Sequence, residues 1–332
     1  MIIETSAPTR IDLSGGTIDI WPLYLLHGGA ETVNMAIDMY ARCRIETGGT
    51  GYTIESRDTG ARVHVETLEE LAADRTLELL ARLVCAFNPP PGLHMTTECA
   101  APPGSGLGGS STLAIAVSGA LDRLVETHLE PEQIRTLATN VETMVIKVPA
   151  GLQDYYPALY GGVNAWHFGL PGVALAPLPV DLARLESRIV LAYTGIPHFS
   201  GTNNWEIYKA RIEGDAGVAE RLERIRVTSH KMRAALLAGD LDTAGEVLGE
   251  EWQNRRALAE GVSTPFIEEL MEIARAAGAP NAKVCGAGGG GCVVFFCDEG
   301  RKASVVAALE ATAARVLDFR IDTAGLRISA AD

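Results

Sequence analysis

The chain has 332 residues and a formal net charge of −14, and 47% of its residues are hydrophobic. The high apolar fraction, with no polar low-complexity tract, excludes a disordered chain, and the lack of a repeating period excludes a solenoid. The negative charge disfavours binding to nucleic acid or to an anionic membrane surface. At about 150 residues per domain, the length predicts two domains.

The first residues carry Glu4 and no apolar segment of the kind that a secretory signal needs. The two long uncharged stretches, 99–121 and 155–180, are interrupted by Gly and Pro and do not resemble membrane spans. The six cysteines form no CxxC pair, which favours buried thiols in a reducing compartment. We therefore predict a cytoplasmic protein with no membrane or nucleic-acid partner.

Hydrophobic periodicity in the first half predicts strands, then helices around a glycine-rich insertion. The predicted strands are 1–6, 11–13, 32–46, 52–56, 62–66 and 94–100. The predicted helices are 68–87, 111–127 and 131–146.

The second half is predicted to contain mainly helices. The pattern predicts a strand at 189–193, helices at 204–239, 241–259 and 265–276, and a strand pair around a glycine loop at 283–297. Because strands and helices do not alternate strictly, the fold class is α+β. The Gly- and Pro-rich stretch 161–179 is the predicted boundary between domains 1–170 and 171–332.

A glycine-rich run precedes the helix at 111. It reads Pro102-Pro103-Gly104-Ser105-Gly106-Leu107-Gly108-Gly109-Ser110-Ser111-Thr112. Glycines let backbone N–H groups approach an anion closely, and the following helix adds its positive end. The run lacks the Lys of a Walker A motif and the strand context of a dinucleotide fingerprint. The predicted phosphate-binding residues are Pro103, Gly104, Ser105, Gly106, Leu107, Gly108, Gly109, Ser110 and Ser111.

This run resembles the phosphate loop of the GHMP kinases, the superfamily of galactokinase, homoserine kinase, mevalonate kinase and phosphomevalonate kinase. Two further segments resemble the other family motifs, Ala7-Pro8-Thr9-Arg10-Ile11-Asp12-Leu13-Ser14-Gly15 and Lys283-Val284-Cys285-Gly286-Ala287-Gly288-Gly289-Gly290-Gly291-Cys292. The resemblance implies an ATP-dependent phosphotransferase. It also implies an N-terminal domain like domain 2 of ribosomal protein S5 and a C-terminal ferredoxin-like α/β sandwich.

The resemblance also implies roles for individual side chains. Mg²⁺ would be held by Ser110, with Ser111 as the adjacent alternative, and by Glu142. Asp154 would act as the base that takes or positions the acceptor hydroxyl, and Arg10 would stabilise the transferred phosphoryl group. A carboxylate and a hydroxyl suit a hard cation.

The acceptor is predicted from the segment Gly15-Gly16-Thr17-Ile18-Asp19. It resembles the branch of heptose-7-phosphate kinases and L-fucose kinases, which phosphorylate an anomeric hydroxyl, although Thr17 replaces the Gly usual there. The predicted substrate-binding residues are Gly15, Gly16, Asp19, Asp154, Gly288 and Gly289.

The predicted function is therefore an ATP- and Mg²⁺-dependent sugar kinase, most similar to D-glycero-D-manno-heptose 7-phosphate 1-kinases. The alternatives are a fucokinase, galactokinase or glucuronokinase type, or a non-catalytic sensor of sugar and nucleotide. The partner is a small sugar or sugar phosphate, and a homodimer remains open. Further acceptor contacts could come from His198, Ser200 and Asn203, and cations for a sugar phosphate from Lys147, Lys209 and Arg211.

Overall fold

Two β-sheets organise the chain. The computed structural model describes residues 1–197 and 200–331, and it leaves the side chains of residues 200–203 undescribed. The first sheet has eight strands in the order β12-β1-β2-β5-β3-β4, with β6 pairing to β2 and β7 pairing to β6. Its strands are β1 Ile2–Ser14, β2 Ala30–Thr47, β3 Tyr52–Ser56, β4 Arg62–Val65, β5 Leu93–Cys99, β6 Val163–Gly169, β7 Gly172–Pro177 and β12 Arg327–Ala331.

The second sheet has four antiparallel strands in the order β11-β8-β10-β9. Its strands are β8 Ile189–Tyr193, β9 Asn281–Val284, β10 Cys292–Phe296 and β11 Arg315–Leu317. The helices are α1 Leu68–Ala73, α2 Glu78–Phe87, α3 Gly109–Val125, α4 Pro131–Ile146, α5 Tyr155–Tyr160, α6 Leu182–Ser187, α7 Ser200–Ile212, α8 Ala216–Ala238, α9 Leu241–Arg256, α10 Pro265–Ala277 and α11 Lys302–Glu310. A short 3₁₀ helix spans Leu23–His27.

Helix α3 is the central helix of the first half. Its residues from Ser111 to Leu121 are mostly buried, and it packs against β1, β2, α2 and α4. The absence of charged residues over this stretch suits a helix that contacts protein on most sides. The mixed helix-and-sheet architecture agrees with the predicted α+β class.

Most predicted elements are confirmed, but four differ from the structure. The two predicted strands 1–6 and 11–13 form one strand, β1, because Pro8 lies at a register shift that a strand tolerates. The predicted helix 68–87 is interrupted after Ala73, and 204–239 is interrupted after Ile212. At the second interruption Gly214 adopts a left-handed φ and Asp215 caps the next helix.

Sheet membership does not follow the chain order. Strands β7 and β12 both lie beyond residue 170, yet both belong to the first sheet. The last strand, β12, pairs antiparallel with β1. The division at residue 170 stays a prediction. Within the described residues, no helix is long and apolar enough to cross a membrane.

The turn before β12 leaves no room for a side chain at Gly325, and this predicts a large effect of Gly325→Ala. Gly325 has a φ of 71°, and a Cβ there would lie 2.2 Å from the Leu159 carbonyl oxygen. Gly300 has a similar φ of 73° with no atom within 4 Å of its Cβ position.

Gly300→Ala should therefore cost only the left-handed penalty, about 1–2 kcal/mol of unfolding free energy. Gly325→Ala should cost at least about 2 kcal/mol more, because backbone atoms must move. Urea unfolding of both variants measures the difference, and equal losses would contradict the steric explanation.

Candidate active site

A cleft of about 400 Å³ lies where the glycine-rich run meets β1, the N-terminal end of α5 and residues of the second half. Its wall includes most of the predicted phosphate loop, from Pro103 to Ser111. It also includes the predicted catalytic and metal-binding side chains Arg10, Glu142 and Asp154. The structure thus brings together residues that are far apart in sequence.

The phosphate loop depends on glycine backbone conformations. Gly104, Gly106 and Gly108 all have a φ between 65° and 75°, a region that disfavours other residues. A Cβ on Gly108 would lie 3.1 Å from the Asp154 Cβ, so the loop packs directly against that side chain. Helix α3 begins at Gly109, so its free N–H groups and positive end face the cleft.

The second glycine loop, between β9 and β10, supports the first. The Cys292 amide donates to the Ser105 carbonyl oxygen at 2.7 Å. A Cβ on Gly291 would lie 2.7 Å from the same oxygen, which explains why glycine is needed there. The two glycine loops therefore form one unit at the cleft.

Arg10 and Asp154 form an ion pair at the centre of the cleft. Arg10 Nε and Nη2 donate to Asp154 Oδ1 at 2.8 and 2.5 Å, and Nη1 donates to the Gly106 carbonyl oxygen at 2.5 Å. Burial opposes the charged form of Arg10, but Asp154 and Asp12 outweigh it and raise the pKa. Both guanidinium contacts fall on Oδ1, which leaves Oδ2 of Asp154 free of Arg10.

Glu142 lies against the start of α3. Its Oε2 accepts hydrogen bonds from the Ser111 hydroxyl at 2.7 Å and from the Tyr155 hydroxyl at 2.6 Å. Burial raises the pKa of Glu142, and the bonds from Tyr155, Ser111 and Ser110 only partly offset it.

These groups fit a magnesium ion. A buried carboxylate next to hydroxyl groups would gain from a cation on its cleft side, and Mg²⁺ typically takes one or two carboxylates with phosphate oxygens and water. No group of three or more His, Cys, Asp or Glu side chains that could hold a metal occurs in residues 1–197 and 200–331. The remaining ligands would therefore come from phosphate and water.

Asp19 lies at the same end of the cleft as Asp154. Its Oδ2 accepts a hydrogen bond from the backbone N–H of Gln153 at 2.9 Å. Burial, with a contribution from the Asp154 charge, raises the pKa of Asp19 to about 6. Thr17, Gln153 and Asn204 complete this end of the cleft wall with hydroxyl and amide groups.

Beneath this end lies a buried network of four charges that the sequence analysis missed. Lys283 Nζ donates to Asp12 Oδ2 at 2.6 Å and lies 3.6 Å from Glu251 Oε2, while Arg255 Nε donates to Glu251 Oε1 at 3.2 Å. Burial opposes ionisation of Asp12, but Lys283, Arg10 and Arg255 outweigh it and hold its pKa below the ordinary value. The signal available in the sequence was that Asp12 and Lys283 each lie next to apolar residues of a strand, Asp12 between Ile11 and Leu13 and Lys283 between Ala282 and Val284.

The remaining predicted residues lie close to the cleft but not on its described wall. Gly15 packs against the Glu31 carbonyl oxygen, and Gly16 packs under Arg255 and Gln153. Gly288 and Gly289 contact Val262, in the loop after α9. Their neighbours Gly286 and Ala287 line the cleft. The Leu107 side chain is in the core, and its carbonyl oxygen accepts from the Arg10 amide at 3.1 Å.

The three cations that were predicted as candidates to bind the phosphate of a sugar phosphate are not part of the described cleft wall. Arg211 donates to His27, Lys209 pairs with Glu206, and Lys147 is exposed at the end of α4. The cations that do line the described wall are Arg10 and Arg255, and each pairs with carboxylates. His198 and the side chains of Ser200 and Asn203 fall outside the described residues.

One part of the cleft is lined by apolar side chains. Its wall is formed by side chains from β5, α2, α3 and the end of α4, namely Cys99, Leu79, Leu113, Ile146 and Val148. A flat, weakly polar ring would bury its faces here.

Comparison with known proteins agrees with this geometry. The model for the GHMP kinases N terminal domain matches residues 71–162, and the GHMP kinases C terminal model matches residues 232–315. A D-glycero-alpha-D-manno-heptose 7-phosphate kinase from Campylobacter jejuni is 31% identical over 335 residues, which cover 98% of this chain and 98% of that protein. A mevalonate kinase from Thermococcus sibiricus is 30% identical over 348 residues, covering 99% of this chain and 98% of the relative.

A crystal structure of a D-glycero-D-manno-heptose 1-phosphate kinase from Bacteroides thetaiotaomicron has a TM-score of 0.81 and 26% identity, with 99% of each chain covered. The chain therefore belongs to the GHMP kinases. It is a phosphotransferase with the two-domain fold of that family, which confirms the predicted fold and enzyme class.

The raised pKa of Asp19 predicts a measurable pH dependence of stability. Because the folded-state pKa is about 6 against an ordinary value of 3.8, the folded protein binds the proton more tightly than the unfolded chain. Stability should therefore fall as pH rises from about 4 to about 6. Unfolding measured across this range should show the wild type losing stability relative to Asp19→Asn, and parallel curves would contradict the assignment.

Proposed function

We propose that the protein is an ATP- and Mg²⁺-dependent kinase that phosphorylates the anomeric hydroxyl of D-glycero-D-manno-heptose 7-phosphate. The observation that carries this proposal is the Asp154 carboxylate, which Arg10 holds against the phosphate loop. The name of the Campylobacter relative, which is similar over nearly the whole chain, supports the choice of acceptor.

Asp154 would orient the acceptor. Arg10 occupies Oδ1, so Oδ2 can accept the proton of a hydroxyl that lies in the cleft. The hydroxyl oxygen attacks the terminal phosphorus of ATP, the bond from that phosphorus to the ADP oxygen breaks, and the proton passes to Asp154. Arg10 stabilises the negative charge near the reacting oxygens.

The phosphate loop would hold the triphosphate without a lysine. Its backbone N–H groups and the positive end of α3 supply the attraction. Glu142, with Ser110 or Ser111, would hold Mg²⁺, which neutralises phosphate charge when bound. The apolar end of the cleft, around Leu79 and Leu113, would take the adenine ring.

The other end of the cleft suits a polyhydroxyl acceptor. Asp19, Gln153 and Asn204 offer hydrogen-bonding groups, and both cations on the described wall are already paired. A ligand with several hydroxyl groups can pair with such groups without requiring a free cation. The ring hydroxyls of a sugar would pair with these groups, and the choice of a 7-phosphate rests on the name of the Campylobacter relative.

The first prediction for this function is acceptor-dependent release of ADP. With ATP and Mg²⁺, D-glycero-D-manno-heptose 7-phosphate should stimulate turnover more than the unphosphorylated heptose, L-fucose, galactose, glucuronate or mevalonate. Asp154→Asn should lower kcat by about 10²–10⁴-fold, since it removes the base. A coupled assay measures the rates.

The control is Asp181→Asn, a cap of α6 that is remote from the cleft. It should leave kcat unchanged. Turnover with mevalonate alone would contradict the proposed acceptor, and lack of ATP binding would contradict the kinase itself.

The assignment of Glu142 predicts a change in metal dependence. Glu142→Gln removes the carboxylate charge but keeps an oxygen, so the Mg²⁺ concentration for half-maximal rate should rise by about tenfold or more. Glu132→Gln, an exposed position on the same helix, is the matched control and should not change it. The assignment fails if Glu142→Gln shows the wild-type Mg²⁺ dependence.

A further inference from the structure

Thr17 adopts a backbone conformation that is unusual for its side chain. It has a φ of 76°, is buried, and lines the acceptor end of the cleft. A left-handed conformation is an outlier for a β-branched residue. Such strain persists only where the surrounding structure holds it, and it concentrates at functional sites.

Two side chains from the second half of the chain contact the Thr17 hydroxyl. Arg255 Nη1, from α9, donates to Thr17 Oγ1 at 3.2 Å, and also to the Gly286 carbonyl oxygen at 3.1 Å. The Thr17 hydroxyl in turn donates to Asn204 Oδ1, on α7, at 3.3 Å. Thr17, Asn204 and Arg255 all line the cleft, so these bonds join both halves of the chain at the acceptor end.

Neighbouring charges balance the charge of Arg255. Glu251 accepts from its Nε, and Asp12 lies 3.9 Å from its Nη2. Lys283 balances the second carboxylate of the network. Arg255 therefore acts as an oriented hydrogen-bond donor more than as a free positive charge.

We propose that Arg255 is a positioning residue for the acceptor: it holds Thr17, and with it the 15–19 loop, in the left-handed conformation that presents the loop to sugar hydroxyls. This inference rests on the proposed sugar-kinase function. Because the network is balanced in charge, the group recognised at Thr17 and Asn204 is an uncharged hydroxyl of the acceptor. The acceptor end is complete only when α9 is docked against the N-terminal loop.

The first test is Arg255→Lys, which keeps the charge. A lysine lacks the planar fork that contacts Glu251, Thr17 and the Gly286 carbonyl together. The KM for the heptose 7-phosphate should rise by about tenfold, while kcat and the KM for ATP stay within about twofold. Arg256→Lys is the matched control, since Arg256 is the next residue and pairs with Glu268 at the surface. It should leave all three constants unchanged.

The second test uses Thr17→Gly, which does not touch the charge network. Glycine adopts a positive φ without strain, so the melting temperature should not fall. The acceptor KM should nevertheless rise by about tenfold, because the 15–19 loop loses the hydrogen bonds that fix it to Arg255 and Asn204. Thr17→Ser keeps the hydroxyl and should restore the wild-type KM to within about twofold.

The double variant separates positioning from general stability. If Arg255 acts through Thr17, adding Arg255→Lys to Thr17→Gly should raise the acceptor KM by less than about twofold further. The inference would be overturned if the effects of the two substitutions on the acceptor KM multiplied. It would also be overturned if the KM values for ATP and for the acceptor rose equally and the melting temperature fell.

The same assays distinguish this inference from the proposed function. A wild-type enzyme that phosphorylates no sugar contradicts both. Wild-type turnover with an unchanged acceptor KM in Arg255→Lys and Thr17→Gly contradicts the inference alone.

Discussion

The buried ion pair between Lys283 and Asp12 is the contact on which the arrangement of the site depends. It joins β9 of the second sheet to β1 of the first, at 2.6 Å and with both side chains fully buried. Removing one partner of such a pair leaves an uncompensated buried charge, which typically costs about 3–5 kcal/mol. The pair therefore holds β9, and with it the second sheet, against β1 of the first sheet.

Strand β1 connects this ion pair to the proposed catalytic groups. Arg10 and Asp12 are two residues apart, so their side chains leave the strand on the same face. Arg10 fixes Asp154, while Asp12 accepts from Lys283 and, at 3.4 Å, from the Gly286 amide. The proposed base, Asp154, and the second glycine loop are therefore both positioned by contacts with one short stretch of β1. A shift of the second sheet would misplace both.

The sequence predicted the parts of the site that lie in continuous motifs. The predicted phosphate loop, Arg10, Glu142 and Asp154 each belong to a segment that resembles a family motif, and the structure places them around one cleft. Arg255 and Glu251 could not be found in this way. They lie on a helix whose pattern predicts only an amphipathic surface. Their importance arises from tertiary contacts, of Arg255 with Thr17 near the start of the chain and of Glu251 with Lys283 on β9.

The packing around Gly15 and Gly16 also could not be predicted from the sequence. The pattern suggested that Gly15 and Gly16 meet the acceptor, but a Cβ on Gly16 would collide with Arg255 Nη2 at 2.4 Å. The absence of a side chain at Gly16 makes room for the residue that holds Thr17. Such a dependence of one position on another is visible only after the chain has folded.

The charges of the cleft wall are unfavourable for binding an anionic ligand. The protein carries a net charge of −14, the described wall holds carboxylates at Asp19, Glu142 and Asp154, and the phosphate loop contains no lysine. An anionic nucleotide would then be attracted by backbone N–H groups, by the positive end of α3 and by a bound cation. Burial of Glu142 beside the first turn of α3 is consistent with that role, because the cost of burying its charge would be offset when a divalent cation binds. The metal would therefore contribute to nucleotide affinity as well as to the transfer step.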